Sequence, residues 1–377
     1  MIDVGNLTGM EISALNDVGG ALNLTDGHAR LGLTAEQAAI VARLPAMFAE
    51  ASSRPFADIE REAHEAFLAA VGQHSAPVGS GRILTCYSST LATDVLARAL
   101  PAGSTIALLH PTFDNIRDLF VTRGHTLRPL AEEAVRAMDW PAPPVSAVFV
   151  VQPNNPTGLV LPAQGLRSLA EHCAANGQTV IIDASFRGQD RRAQYDCYAI
   201  LDAARADWVV IEDTGKLWPV HELKIGMLVF SDRTRLPIGR AFSESLLSAS
   251  PVILLLVKAL AADWVNGGYE RARSIIDGNR RVVGRAAESV GLALADPAST
   301  ISVARIGLPD AGPDSAVLYE AMASRGVHVL PCGPFHWADR AEGLRYIRLS
   351  LARPPAAVQA AARSLAQTYA ELATARV

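Results

Sequence analysis

The sequence is poor in cysteine, in aromatic residues and in uninterrupted apolar runs, and each shortage closes off a class of protein. Its four cysteines, Cys86, Cys173, Cys197 and Cys332, show neither CxxC nor metal-type spacing, so no disulfide framework and no metal module is expected. They read as buried free thiols of a reducing cytosol. The longest apolar run, 252–257, is cut by Lys258 and is far too short to span a bilayer. Residues 1–20 lack the basic start and apolar centre of a signal peptide, and a cytoplasmic location is the expectation. Neither charge sign dominates. The formal net charge of -4 leaves no electrostatic footprint for nucleic acid or an anionic membrane, so small-molecule chemistry becomes the default. Internal repeats and low-complexity segments are lacking as well.

What is present is a long chain with a large apolar share. Its 377 residues exceed what one core usually organises, and 50% apolar content with 19% charge marks a folded protein of two domains. Residues 1–33 read as an irregular arm with glycines at 5, 9, 19, 20, 27 and 32. Thr34 caps a helix, with Glu36 and Gln37 in its first turn and an apolar pattern running to Phe48; a second helical pattern covers 56–71. From Ile83 short apolar runs alternate with amphipathic segments, at 83–86, 106–109, 145–151, 180–182, 209–211 and 227–230. Such alternation implies an α/β fold with a mainly parallel sheet and helices on both faces. A helical stretch over 251–288, broken near Gly267-Gly268, carries the chain into a smaller domain. There a helix at 316–324, strands at 327–330 and 346–351, and a terminal helix at 355–375 are expected. The expected boundaries are an arm at 1–33, a large domain at 34–265 and a small domain at 266–377.

The chemistry concentrates at the ends of these strands. The run 208–211 passes straight into Glu212, Asp213, Thr214, Gly215 and Lys216, a buried strand that delivers a lysine at its carboxyl end, where open α/β sheets carry their reacting groups. Alone, such a lysine would be a surface loop residue. Asp183 closes the strand 179–182, and Asn155 sits in Pro153-Asn154-Asn155-Pro156-Thr157-Gly158. Ser88, Ser89 and Thr90 stand at a strand-to-helix junction, where hydroxyls and the helix N-terminus suit a phosphate, and Lys224 would add charge. Taken singly, Asp183 would pass for a helix cap, Asn155 for a turn residue and Phe113 for a core aromatic.

Together these motifs resemble the fold-type I pyridoxal phosphate (PLP) enzymes of the class I/II aminotransferase superfamily. The resemblance implies a large, mainly parallel seven-stranded sheet domain plus a smaller α/β C-terminal domain. It implies that Lys216 carries PLP, that Lys224 with Ser88, Ser89 and Thr90 holds its phosphate, and that Asn155 hydrogen-bonds the phenolic oxygen. Asp183 would keep the ring nitrogen protonated, Phe113 would stack on the ring, and Ser185 would lie beside the cofactor. PLP serves as an electron sink, and a protonated ring accepts charge best. Arg348 stands where the superfamily keeps an arginine for the substrate carboxylate, with Arg345 and Arg353 as neighbours in competition. A PLP-binding transcription regulator would carry a helix-turn-helix ahead of this region, and none is seen.

Two positions depart from the transaminase pattern. The tyrosine expected three residues after the ring aspartate is Phe186, and the serine expected three residues before the lysine is Asp213. A carboxylate facing a phosphate is repelled, so Asp213 is expected to turn away from it, toward a cationic substrate side chain. These departures, with Asp26-Gly27-His28-Ala29-Arg30, His110-Pro111-Thr112-Phe113-Asp114-Asn115 and Phe335-His336-Trp337-Ala338, resemble a narrower group, the PLP- and dioxygen-dependent L-arginine hydroxylase/oxidases of natural-product biosynthesis, known from enduracididine and azomycin pathways. That resemblance implies a homodimer converting L-arginine to 4-hydroxy-2-oxoarginine, with 2-oxoarginine as a side product. It places Glu11 and Asp213 on the guanidinium, Thr8 in the same site, and His28 over the cofactor, where it influences whether hydroxylation follows. Two carboxylates around a guanidinium would discriminate against uncharged side chains, which leave them unpaired. Nothing in the residues themselves announces dioxygen chemistry. An aminotransferase acting on a basic amino acid and a cyclase or lyase of the capreomycidine-forming type stay open; a protein that binds PLP without catalysis would have no need of Lys216.

Overall fold

The computed structural model describes residues 6–16, 20–220 and 222–375. Parts of the expected arm, residues 1–5 and 17–19, lie outside that range. Seven strands build the large sheet: β1 Ile83–Cys86, β2 Thr105–His110, β3 Thr126–Ala131, β4 Ala147–Val151, β5 Thr179–Asp183, β6 Asp207–Asp213 and β7 Gly226–Phe230. Their order is β1-β7-β6-β5-β4-β2-β3, all parallel except β7, which runs against both neighbours. This is the mainly parallel sheet that the alternation predicts. Strands β4 and β5 are buried along their whole length, as helices on both faces of a parallel sheet require. β3 had no recognisable strand signature. It carries Pro129 and exposed polar residues, tolerable because β3 is the edge strand.

The apolar interior falls into two main clusters. One runs from Met47 to Tyr269 around the large sheet, and the other gathers Leu24, Ala29 and residues from Ile276 to Tyr369. The second lies on an antiparallel sheet in which Tyr346–Ser350 pairs with both Val303–Gly307 and Leu330–Pro331. The single strand expected at 327–330 is therefore two short ones, because Val327–His328 pairs instead with Leu22–Asn23 of the arm. That pairing ties the arm to the second cluster.

Three helical expectations are refined. The helix capped by Thr34 ends at Val41, and a new one starts at Leu44 with Pro45 in its first turn, a position where proline costs no hydrogen bond. The stretch 251–288 is two helices, Pro251–Val265 and Glu270–Glu288, bent by 75°. Gly267 at the bend takes a φ of +88°, a left-handed conformation that favours glycine, and a side chain at Gly268 would push the Asp263 carboxylate aside. The arm is not wholly irregular. Leu7–Leu15 is a helix, capped by the Asn6 side chain and anchored by Leu7, which packs with Leu330, Cys332 and Phe335. Among the described residues no single helix is long and apolar enough to cross a membrane. All four cysteines are buried and free.

Candidate active site

The carboxyl ends of β1, β4, β5 and β6 open onto one cavity of about 500 Å³. Its wall includes every residue singled out for cofactor or substrate except Arg348, from Ser88 and Asn155 to Lys216 and Lys224. The arm helix closes one side. Thr8, Glu11, Ile12 and Leu15 project from a single helical face, a consequence of their three- and four-residue spacing.

Two cations meet one imidazole at the centre. His28 Nε2 lies 3.3 Å from Lys216 Nζ and 2.9 Å from Lys224 Nζ, while its Nδ1 faces Asp26 Oδ1 at 3.3 Å. Since an ammonium can only donate, Nε2 is the acceptor and Nδ1 carries the proton toward Asp26. The charge on Lys216, then burial, holds the His28 pKa below its ordinary value, so the ring stays neutral. Burial pushes the Asp26 carboxyl up, but the His28 hydrogen bond and the Arg353, His28 and Arg30 charges outweigh it and keep the group ionised. Lys224 is balanced on its other side by Glu222 at 2.6 Å.

The phosphate-type junction is built as expected, with one correction. Ser88 caps the helix Ser89–Ala99, its hydroxyl oxygen accepting from Leu91 N, and Thr90 accepts from Asn115. Asp213, expected to turn away from this junction, instead points at it. Its Oδ2 accepts from Ser89 N at 2.9 Å and its Oδ1 from Gly215 N at 2.5 Å. The repulsion argument considered only the phosphate. A helix N-terminus attracts any anion, and here Lys216 and Lys224 also draw the carboxylate in. Burial raises the Asp213 pKa, yet those two lysines and the amide bonds bring it below the usual carboxylate range.

The remaining candidates pair off. Ser185, expected at the cofactor, donates its hydroxyl and its backbone N–H to Asp183 Oδ1, at 2.5 and 2.9 Å, and so orients that carboxylate. Burial pushes Asp183 up to about 6, the Ser185 bonds pulling the other way. Arg348 is wholly buried behind the wall. It donates to Asn155 Oδ1 at 3.0 Å and to Thr25 O, and lies 3.6 Å from Glu11, while its Nε has no partner among the described residues. Glu11 thus has a cationic neighbour inside the chain already; burial keeps its pKa raised in spite of that charge. With its carbonyl held by Arg348, Asn155 has the amide N–H groups to offer an acceptor in the cavity. Phe113 lines the wall edge-on to Phe335. Of the competing arginines, Arg353 grips the arm and Arg345 donates to Pro309 O at the surface.

Some participants escaped the sequence reading. Glu212, beside Asp213, is fully buried and paired with Arg187 and the Tyr198 hydroxyl. Its signal was available, since an acid inside a strand buried on both faces must have a partner. Gln189, which holds the Lys216 carbonyl, gave no comparable signal, and Arg353, named only as a competitor for the substrate carboxylate, holds the arm instead.

A family model described as aminotransferase class I and II matches residues 46–365. The chain belongs to that family. The solved structure of MppP soaked with the product 2-ketoarginine shares 42% identity with this aminotransferase-family chain, covers 93% of it and 100% of MppP, and superposes with a TM-score of 0.90. Aspartate aminotransferase from Thermus thermophilus with maleate shares 17% identity at 97% coverage of both chains and a TM-score of 0.77, which speaks to the fold alone. Among curated proteins, histidinol-phosphate aminotransferase of Symbiobacterium thermophilum is 26% identical over 192 residues, 51% of this chain and 50% of its own length. The chain spans about half the length of the curated relatives it matches.

The residues present fit PLP. A Cβ on Gly226 would stand 2.4 Å from Ser88 C and 2.7 Å from Ser89 N, so glycine alone lets β7 close on the helix N-terminus and form a cradle there.

Proposed function

We propose that this chain is a PLP-dependent oxidase and hydroxylase that uses dioxygen to convert L-arginine to 4-hydroxy-2-oxoarginine, releasing 2-oxoarginine as a side product. The observation that carries the reading is one cavity holding Lys216 and His28 opposite the acidic arm face of Glu11, in a chain 42% identical over 93% of its length to a protein crystallised with 2-ketoarginine. In this reading Lys216 would hold the cofactor, with Lys224, Ser88, Ser89 and Thr90 at its phosphate, Asp183 at its ring nitrogen, Asn155 at its phenolic oxygen and Phe113 against its ring. When bound, PLP supplies an electron sink for the substrate's α-carbon. Arg348, held behind the wall by Asn155 and Thr25, is the candidate for the substrate carboxylate, and Glu11, Asp213 and Thr8 would meet the guanidinium end. Each Asp213 oxygen keeps a second lone pair for that purpose beyond its backbone bond.

The chain's own residues suit the proton movements. Lys216 would serve as the base for the α-carbon's proton, and His28, neutral and lining the cavity, is a second base held in one tautomer by Asp26. The arm helix excludes water from the cavity on its side. For the side product the balance is L-arginine, dioxygen and water giving 2-oxoarginine, ammonia and hydrogen peroxide. A second dioxygen and a second water, again with peroxide formed, account for the 4-hydroxyl.

The alternative is an aminotransferase for a basic amino acid, favoured by the family match and the histidinol-phosphate aminotransferase relative. The test uses purified protein with L-arginine in air and under nitrogen, without an oxo acid. Oxygen uptake with 4-hydroxy-2-oxoarginine formed is the expected result; turnover that requires pyruvate or 2-oxoglutarate, or that occurs only with 3-hydroxyarginine, overturns it. A homodimer is part of the reading, and light scattering at twice the chain mass checks it.

A further inference from the structure

Between Asp26 and His28 three consecutive backbone carbonyls are taken by side chains from distant parts of the chain. Arg353 donates to Asp26 O at 3.1 Å and to His28 O at 2.8 Å, and the Ser302 hydroxyl donates to Gly27 O at 3.0 Å. Ser302 is in turn held by Gln189, whose Oε1 accepts from Ser302 N at 2.6 Å and whose Nε2 donates to Ser302 Oγ at 3.2 Å. The same Nε2 donates to Lys216 O at 2.7 Å. Gln189 is 1% exposed and Ser302 0%, so water cannot replace these bonds cheaply. A continuous buried relay therefore joins the backbone of Lys216, through Gln189 and Ser302, to the peptide that precedes His28.

We propose that Gln189 and Ser302 are positioning residues that set the separation between the Lys216 amine and the His28 imidazole, and thereby govern how much of the reaction passes on to hydroxylation. The relay crosses from the loop after β5 to the segment that enters Val303–Gly307, so it couples the large sheet to the second apolar cluster at the site itself. Neither residue touches the cavity. Both act through the two backbones they hold. The proposal rests on the roles read for Lys216 and His28 above.

The test is Gln189→Met, which keeps length and removes all three polar bonds, alongside Ser302→Ala, which removes the hydroxyl and leaves the Ser302 N–H. Should the first variant not fold, the second breaks the link to Gly27 with the loss of one atom. With PLP bound and L-arginine in air, the ratio of 4-hydroxy-2-oxoarginine to 2-oxoarginine is expected to fall about fivefold in each, the change that one net hydrogen bond carries. Adding either change to His28→Ala is expected to give no further fall, because the relay acts through His28. An unchanged ratio, or an additional fall in the His28→Ala background, overturns the proposal.

A second readout is independent of turnover. The His28 ring faces Lys216, Lys224 and Asp26, with Arg30 and Glu222 nearby, and the Lys216 charge is the largest influence lowering its titration point. In Gln189→Met followed by NMR, that titration is expected to move up as Lys216 and His28 separate; an unmoved titration refutes the relay. If L-arginine is not consumed by the parent protein, the proposed activity fails, and the titration still decides the relay.

Discussion

Asp213→Asn isolates charge from shape at the residue that departs most from the transaminase pattern. Asp213 is 4% exposed, and its two oxygens accept separate backbone N–H groups, from Ser89 and Gly215. Asparagine brings a single acceptor oxygen, so one of those donors would face an NH2 group, at a cost of ~1–3 kcal/mol in stability. For a chain of this size each kcal/mol lowers the melting midpoint by roughly 1 °C. The effect on arginine is separate. A charge-assisted bond to the guanidinium contributes ~1.5–3 kcal/mol, so the Kd for L-arginine is expected to rise roughly 10- to 150-fold. L-citrulline, with the same outline and only neutral N–H donors, lacks the ion pair, so its Kd should rise by a smaller factor than that of L-arginine. The assay is an anaerobic titration of PLP-loaded protein followed through the visible absorbance of the bound cofactor. Because Asp213 is held below the usual carboxylate range, it is charged throughout neutral and alkaline pH, and the difference should not vary with pH there. Equal weakening of arginine and citrulline, or an unchanged arginine Kd, would refute the substrate role and leave Asp213 only its place at the head of the helix.

Other expectations follow from the same geometry. Lys216→Ala should abolish the label that borohydride fixes at residue 216 in the presence of PLP, and labelling elsewhere would move the cofactor's attachment. Burial lifts Asp183 to about 6, above its ordinary 3.8, so the folded cofactor-free chain holds a proton more tightly than the unfolded one. That group therefore costs stability as pH rises from about 4 to about 6, by at most roughly 3 kcal/mol, and urea midpoints of Asp183→Asn should lack the decline. Asp114, pushed up to about 6 by burial, accepts Leu7 N at 3.0 Å; Asp114→Ala should speed amide exchange over residues 7–15 about tenfold, for ~1.4 kcal/mol lost, and unchanged exchange would show that Leu7 packing alone holds the helix. All four cysteine thiols are buried, and Cys86, Cys173, Cys197 and Cys332 are pushed up to about 12, so a thiol reagent at pH 8 should react with none until the protein is unfolded.

The large sheet was legible because its information is local. A parallel strand buried on both faces must be a continuous apolar run, and 147–151, 180–182 and 209–211 are such runs, each followed by the polar residue that the strand end presents. β3 was not legible, since an edge strand lacks that burial and tolerates Pro129. The arm helix Leu7–Leu15 was hidden for the opposite reason. Gly9 weakens its propensity, and the groups that stabilise it, Asp114, Leu330 and Phe335, lie more than a hundred residues away.

The same division explains the site. Residues at strand ends carry a motif, so Asn155, Asp183 and Lys216 could be named from the resemblance, and the structure brings them to one cavity. Side chains that hold backbone carry no such restriction. Gln189 grips Lys216 O, Arg353 grips the carbonyls of Asn23, Asp26 and His28, and either could have been an exposed polar residue as far as pattern goes. Asp213 shows how the two kinds of argument collide. Repulsion from a phosphate is a statement about one pair of charges, but the position of a buried carboxylate follows from every charge and dipole around it, and here two lysines and two backbone amides draw it to the head of the helix. Under the proposed function, a guanidinium arriving in the cavity would therefore meet a carboxylate already fixed by its own backbone bonds, which would lower the ordering cost of binding.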